Sequence, residues 1–83
     1  MQTDTKNRGA TLQALRRRCA PKMTQQDLAA ALGMAQSNIS KIEKTGSMYV
    51  DTLCAAAAVL ACRLPMTQEQ IIVAIALGAL EAE

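Results

Sequence analysis

The sequence predicts an all-α protein, a single bundle of five helices. Apolar residues recur at intervals of three and four positions, which is the spacing of one helix face, and no segment alternates as a β-strand would. Prolines, glycines and capping residues separate five such segments within the 83 residues. Aromatic residues make up 1% of the chain, so the core must consist of small and aliphatic side chains. We expect a thin core that dimerisation would supplement.

The first helix is predicted to run from about residue 9 to residue 19. Residues 1–8 are polar and aperiodic, which indicates a flexible basic arm. Leu12, Leu15 and Cys19 then form one apolar stripe, while three consecutive arginines fan around the other faces. A proline two residues after this stripe ends the helix, because proline has no N–H group to donate.

The second and third helices carry clear start and stop signals. Thr24 is predicted to be the N-cap of the second helix, and Asp27 lies at its third position, where the helix dipole favours a carboxylate. Gly33 is predicted to end this helix as a left-handed residue. The third helix is predicted over residues 36–44, so a three-residue turn separates the two helices. Two short helices joined in this way form a helix-turn-helix.

Apolar side chains are predicted to hold these two helices together. The residues expected to face the core are Leu28, Ala31, Leu32, Ile39 and Ile42. Ala30 is expected to be small because the third helix crosses near it. The side chains left outside at the start of the third helix are short and able to hydrogen-bond, which suits the major groove of DNA.

The last two helices are separated by a proline. The fourth is predicted over residues 50–63, and the fifth over residues 68–82, after a capping box that begins at Thr67. Residues 71–80 are apolar nearly all round, and such a helix cannot remain exposed. It must be buried in the fold, between two chains, or both, and we expect the C-terminal element, residues 65–83, to form a dimer interface together with the fourth helix. The residues predicted to lie in that interface are Ile71, Ile72, Ile75, Leu77 and Leu80.

Composition excludes several classes of site. The chain has no His, which removes His-based acid–base chemistry and His-ligated metals, so we expect no catalysis, no metal and no other cofactor. Its three cysteines form no CxxC pair and are expected to be reduced, buried thiols. The longest apolar run is half of the ~20 residues that cross a bilayer, and no cleavable signal is visible. We expect a cytoplasmic location and no membrane partner.

Charge is divided unevenly along the chain. The first 64 residues carry all nine basic residues and four acidic ones, whereas the last 19 residues carry three acidic ones and no basic one. A basic body with an acidic end indicates a polyanionic partner for the body and a separate task for the end.

The helix-turn-helix segment also resembles a known family. Residues 24–44, TQQDLAAALGMAQSNISKIEK, are similar to the phage-repressor helix-turn-helix family, the Cro/C1 or XRE type, with its pattern TQ-x-x-LA-x-x-LG-x-x-QS-x-IS-x-IE. The resemblance covers residues 9–64, and it implies a lambda-repressor-like fold and binding of double-stranded operator DNA. Residues 48–53, MYVDTL, are similar to the MY-x-x-TL stretch of antitoxin-type members.

The resemblance implies roles by position, with the third helix entering the major groove. The residues expected to contact DNA bases are Gln36, Ser37, Ser40 and Lys41. The residues expected to contact DNA phosphates are Gln25, Asn38, Lys44, Ser47, Tyr49 and Arg18, with Lys6 and Arg8 of the arm as further candidates. Tyr49 has an equal alternative as a partly buried packing residue. Glu43 is expected to be structural, because DNA would repel its carboxylate unless it is paired internally.

One arginine of the run Arg16, Arg17, Arg18 is expected to face DNA, because successive helical residues are rotated by about 100°. Two functions then compete. The first is a sequence-specific repressor that binds an inverted-repeat operator as a homodimer. The second is an antitoxin that neutralises a toxin and autoregulates its operon, with a toxin or co-repressor protein as a further partner. A helical interaction module without DNA binding is a third, which the polar face of the third helix argues against.

Overall fold

The structure is a computed structural model that describes residues 5–78. These residues form five α-helices and no β-strand, so the all-α prediction is confirmed. The helices are α1, Thr5–Arg17; α2, Gln25–Leu32; α3, Gln36–Thr45; α4, Val50–Ala61; and α5, Gln68–Leu77. α1 packs on α3 and α5, α2 packs on α3 and α4, and α4 packs on α5. None of these helices has the length and apolarity that a membrane span requires.

α1 begins earlier than predicted, because residues 5–8 are helical. Arg8 Nε donates a hydrogen bond to the carbonyl oxygen of Ala76 at 3.1 Å, which attaches this side chain to the C-terminal end of α5. The prediction of a flexible arm is therefore corrected for residues 5–8. Residues 1–4 and the side chain of Lys6 lie outside the described part of the chain.

Aliphatic side chains from all five helices form the core. The large hydrophobic side chains with the lowest exposure are Leu12, Leu15, Leu28, Ile39, Leu60, Ile71 and Ile75. In α2 the buried small residue is Ala29, whereas Ala30 and Ala31 are exposed. The prediction that Ala31 faces the core is wrong, and the small residue that the bundle covers is Ala29 rather than Ala30, since one step along a helix rotates a side chain by about 100°.

α1 and α3 make a close approach at Gly9. A Cβ atom added to Gly9 would lie 2.6 Å from the carbonyl oxygen of Ile42 and closer still to that of Glu43. Both obstacles are backbone atoms, which cannot swing away as the end of a flexible side chain could. Gly9 therefore permits this contact, although glycine within a helix costs roughly 0.5–1 kcal/mol relative to alanine.

Gly9→Ala is expected to destabilise the protein by about 1–3 kcal/mol, because the added methyl group must force α1 away from α3. Asn7→Ala, at an exposed position of the same helix, provides the matched control and should change stability by no more than a few tenths of a kcal/mol. Urea unfolding of the two variants measures both effects. A Gly9→Ala protein as stable as the wild type would contradict the close approach.

The segment between α1 and α2 is fixed by the end of α4. The N–H group of Ala20 donates to the carbonyl oxygen of Arg63 at 3.1 Å, and Arg63 Nη1 donates to the carbonyl oxygen of Lys22 at 3.2 Å. Met23 is buried in the core. These contacts place the N-terminus of α2 relative to α1 and α4.

The ends of α2 are formed as predicted. The hydroxyl of Thr24 accepts a hydrogen bond from the N–H group of Asp27 at 3.0 Å, and the Asp27 carboxylate accepts one from the N–H group of Thr24 at 3.1 Å. Gly33 ends the helix at φ 67°, in the left-handed region that favours glycine. The hydrogen bond from the backbone N–H group of Thr24, with a smaller effect of its hydroxyl, lowers the pKa of Asp27 below its ordinary value.

Because the pKa of Asp27 is lower in the folded chain, its carboxylate stabilises the fold fully above the unfolded pKa, and this contribution is lost as pH falls through the folded pKa. The difference in unfolding free energy between the wild type and Asp27→Asn should therefore shrink between about pH 5 and about pH 2. Urea unfolding at each pH measures this difference. A difference that stays constant on acidification would contradict the cap.

α5 buries the side that the sequence assigned to a dimer interface. Ile71 and Ile75 are fully buried within one chain, so their predicted place in that interface is wrong. Ile72 is half-buried, and Leu77 is 56% exposed. Leu80 lies outside the described residues. α5 ends at Leu77, earlier than predicted, and its outward side is narrower than the sequence suggested.

The three cysteines differ in exposure. Cys19 is buried, and burial raises the pKa of its thiol. Cys54 is half-buried and Cys62 is exposed. The prediction of three buried thiols is therefore wrong for Cys62.

Candidate nucleic-acid interface

α3 anchors one face in the core and presents a polar face outward. Ile39 and Glu43 are the buried residues of this helix. Of the four residues predicted to contact bases, Gln36, Ser37 and Lys41 are exposed and Ser40 is half-buried. The start of α3 is therefore accessible to a ligand of the size of a DNA duplex.

A hollow lies where the end of α1 meets the N-terminal ends of α2 and α3; we call it the N-terminal hollow. Its lining residues are Arg16, Arg17, Lys22, Thr24, Gln25 and Gln36. Gln36 thus shares a concave surface with the cationic side chains of Arg17 and Lys22. Arg17, rather than the predicted Arg18, borders this hollow, and Lys22 is a further lining residue that was not predicted from the sequence.

A groove of about 410 Å³ follows another side of α3, along the loop that leads to α4; we call it the C-terminal groove. It brings together four residues that were predicted to contact DNA: Asn38, Lys41, Ser47 and Tyr49. Tyr49 is 84% exposed, so the alternative that it is a partly buried packing residue is wrong.

The other predicted phosphate contacts differ in their surroundings. Lys44 is exposed near the end of α3. Arg18 is exposed too, and it has an interaction partner within the chain. Gln25 is half-buried, and its Nε2 donates to Glu43 Oε1 at 2.9 Å. One side-chain donor of Gln25 is therefore already used inside the protein.

Beneath this surface, Arg16 and Glu43 form a buried ion pair. Arg16 Nε donates to Glu43 Oε2 at 2.6 Å, and Arg16 Nη2 donates to Glu43 Oε1 at 3.1 Å. The two side chains are only 9% and 3% exposed. Arg16 Nη1 also donates to the carbonyl oxygen of Met23 at 3.1 Å. Glu43 is therefore paired internally, as expected from the sequence.

The ion pair and its hydrogen bonds to Met23 and Gln25 connect four parts of the chain. Arg16 belongs to α1, Met23 to the linker, Gln25 to α2 and Glu43 to α3. The pair is bidentate, which fixes the direction as well as the distance of its two side chains. The network therefore orients α3 relative to the rest of the bundle.

The Cro/C1-type, or XRE, helix-turn-helix family model matches residues 12–65, which is more than half of the chain. The chain belongs to the Cro/C1-type helix-turn-helix family. It is accordingly a DNA-binding transcription regulator of this type. No curated protein and no solved structure matches the chain.

Within this Cro/C1-type protein, α2 and α3, joined by the turn at Gly33, are the helix-turn-helix. The matched residues include all of α2, α3 and α4, and they end before α5. Family membership therefore covers the helix-turn-helix and does not extend to α5.

Removing one partner of the Arg16–Glu43 pair is expected to be costly. Glu43→Met should reduce the free energy of unfolding by about 3–5 kcal/mol, because it leaves a buried guanidinium without its counter-charge. Arg16→Met should reduce the free energy of unfolding by a similar amount, because it leaves the buried Glu43 carboxylate without its counter-charge. The free energy of unfolding that the double variant loses should be much less than the sum of the losses of the two single variants, since no charge then remains buried.

Urea unfolding of the wild type, the two single variants and the double variant gives the coupling energy directly. Arg17→Met provides the matched control, because it removes a neighbouring exposed arginine and should change stability little. Additive losses in the double variant would show that the two side chains are not coupled.

Proposed function

We infer that this Cro/C1-type regulator is a sequence-specific transcriptional repressor, which binds an inverted-repeat operator as a homodimer with α3 in the major groove. The observation that carries this proposal is the exposed polar face of α3 between two concave surfaces, the N-terminal hollow and the C-terminal groove. A helix lying in the major groove has a phosphate backbone on each side, and concave surfaces on both sides of α3 suit that arrangement.

The side chains on the exposed face of α3 match the chemistry of base edges. The Gln36 amide can pair with N6 and N7 of adenine, and the Lys41 ammonium group can donate to O6 and N7 of guanine. Ser37 and Ser40 are short and can donate or accept, which suits positions close to the floor of the groove. We assign these four residues to direct readout of sequence.

Two sets of residues would hold the phosphate backbones. In the N-terminal hollow, Arg17 and Lys22 add positive charge to the free N–H groups at the start of α2. Because Gln25 Nε2 is bound to Glu43, its contact with a phosphate would come from its backbone N–H group or its second amide hydrogen.

The second set lies in and beside the C-terminal groove. Ser47 and Tyr49 supply hydroxyl groups from the loop that borders the C-terminal groove, and Asn38 adds an amide. Lys44 would contact a phosphate next to the groove. Arg18 remains a further phosphate candidate.

We propose a homodimer because the base-contacting surface of a single chain is small. A single helix-turn-helix contacts few base pairs, whereas a two-fold dimer reads two half-sites about one DNA turn apart. Occupancy of such an operator would block transcription sterically.

An antitoxin function is the second candidate, and two observations favour it. Residues 48–53 carry the MY-x-x-TL stretch, and α5 keeps exposed apolar side chains, Val73 and Leu77, that another protein could cover. Both candidates require the same DNA-binding surface. They differ in whether a toxin protein is bound and neutralised, which co-expression of the chain with its neighbouring gene product would reveal.

Substitutions on α3 are expected to separate base readout from phosphate binding. Gln36→Ala should weaken binding to the operator by about 1–3 kcal/mol and relax the preference at one base pair, because it removes a bidentate contact. Lys44→Ala, the matched control, should weaken binding to every sequence alike and reduce the slope of log K against log salt by about 1.

Mobility-shift titrations on a duplex selected by the protein and on a scrambled duplex, at several salt concentrations, measure both effects. If Gln36→Ala lost the same affinity on the selected and the scrambled duplex, the assignment of Gln36 to base readout would be wrong.

A further inference from the structure

Arg63, just after the end of α4, binds the backbone of the linker, residues 18–24, which joins α1 to α2. Its Nη1 donates to the carbonyl oxygen of Lys22 at 3.2 Å and to that of Pro21 at 3.4 Å. Its own carbonyl oxygen accepts a hydrogen bond from the N–H group of Ala20 at 3.1 Å. Three consecutive residues of the linker are therefore bonded to this one arginine.

The next residue of the linker is bonded to a second arginine. The carbonyl oxygen of Met23 accepts a hydrogen bond from Arg16 Nη1 at 3.1 Å, and the Met23 side chain is buried in the core. The backbone of Lys22 is therefore fixed by Arg63 at its own carbonyl group and by Arg16 at the following one. The side chain of Lys22, in contrast, is exposed.

This exposed side chain borders the N-terminal hollow, together with Arg17 and Gln36. Arg63 is not among the described residues that line the hollow. Its residue is half-buried, and its guanidinium group contacts the linker. Any effect of Arg63 on a ligand in the hollow is therefore expected to pass through the linker and Lys22.

We propose that Arg63 is a positioning residue for DNA binding, which holds Lys22 where its ammonium group can contact a phosphate at the N-terminal hollow. This inference rests on the proposed function. The ammonium group of a lysine is a point charge on a flexible four-carbon stem, so its contact depends on where the backbone places that stem. Ordering the linker in the free protein also reduces the conformational entropy that is lost when DNA binds. Arg63 thereby raises the affinity for every DNA sequence alike.

Arg63→Met and Lys22→Met, alone and together, test this role in mobility-shift titrations on the selected and the scrambled duplex. Lys22→Met should weaken binding to both duplexes about fivefold and reduce the slope of log K against log salt by about 1, since one phosphate contact is lost. Arg63→Met should weaken binding to both duplexes about threefold, because the contact forms less often. In the Lys22→Met background, Arg63→Met should change the affinity less than about 1.5-fold, because the charge that it positions is already absent.

Arg8→Met provides the matched control. It also removes one positive charge and one hydrogen bond from a guanidinium group to a carbonyl oxygen, that of Ala76. Arg8 lies nine residues before Arg17 on α1, about 13 Å along the helix axis, and salt screens exposed charges over about 10 Å. The control should therefore leave the affinity for both duplexes within about 1.5-fold.

Backbone ¹⁵N heteronuclear NOE values of the free chain measure the order of the linker without DNA. Arg63→Met should lower these values at the amides of Ala20 and Lys22 and leave those of α3 unchanged. Thermal unfolding verifies that each variant is folded at the temperature of the assays.

Three outcomes would overturn the proposal. Equal losses from Arg63→Met with and without the Lys22 ammonium group would show that Arg63 acts on DNA through its own charge. Unchanged NOE values at the linker amides in Arg63→Met would show that Arg63 does not order the linker. A wild type that binds the selected duplex no more tightly than Arg63→Met would remove the positioning role alone, whereas a wild type that binds no duplex would contradict the proposed function and this role together.

Discussion

The Arg16–Glu43 ion pair is the interaction on which the arrangement of the helix-turn-helix depends. Burying two charges costs several kcal/mol for each, and the cost is offset only when the geometry is good and the remaining donors are satisfied. Here the bidentate contact, the carbonyl oxygen of Met23 and the amide of Gln25 complete the network. An apolar pair could give similar stability, so we infer that the ion pair matters chiefly for orientation. It sets the direction in which α3 presents its polar face.

The same ion pair shapes the charge of the surface above it. Pairing Glu43 internally removes a carboxylate that DNA would repel, at the cost of one arginine. Among the described residues, neither the lining of the N-terminal hollow nor that of the C-terminal groove includes an acidic side chain. The cations that remain, Arg17 and Lys22 on one side of α3 and Lys41 on another, suit a polyanion. The close contact at Gly9 holds α1, which supplies Arg16, against α3.

Local sequence signals predicted most of the fold, and they failed where the residues on different sides of a helix have the same polarity. The cap at Thr24 and the turn at Gly33 are local, so the sequence located both ends of α2. Residues 29–31 are all alanine, so the sequence does not show which of them is buried. Because α5 is apolar on all sides, its buried face could not be identified either. In the site, the spacing of Arg16, four residues after Leu12 on the apolar stripe, is a sequence signal for its burial. The position of Lys22 depends on tertiary contacts of the linker and had no sequence signal.

The central claim is that the ion pair and the close contact at Gly9 hold the polar face of α3 outward for DNA. Backbone amide chemical-shift mapping of the full chain, titrated with a duplex selected by the protein, tests this claim most directly. The largest shifts are expected in the first two turns of α3, at the N-terminus of α2 and in the loop between α3 and α4. Shifts confined to α4 and α5, with α3 unperturbed, would contradict it.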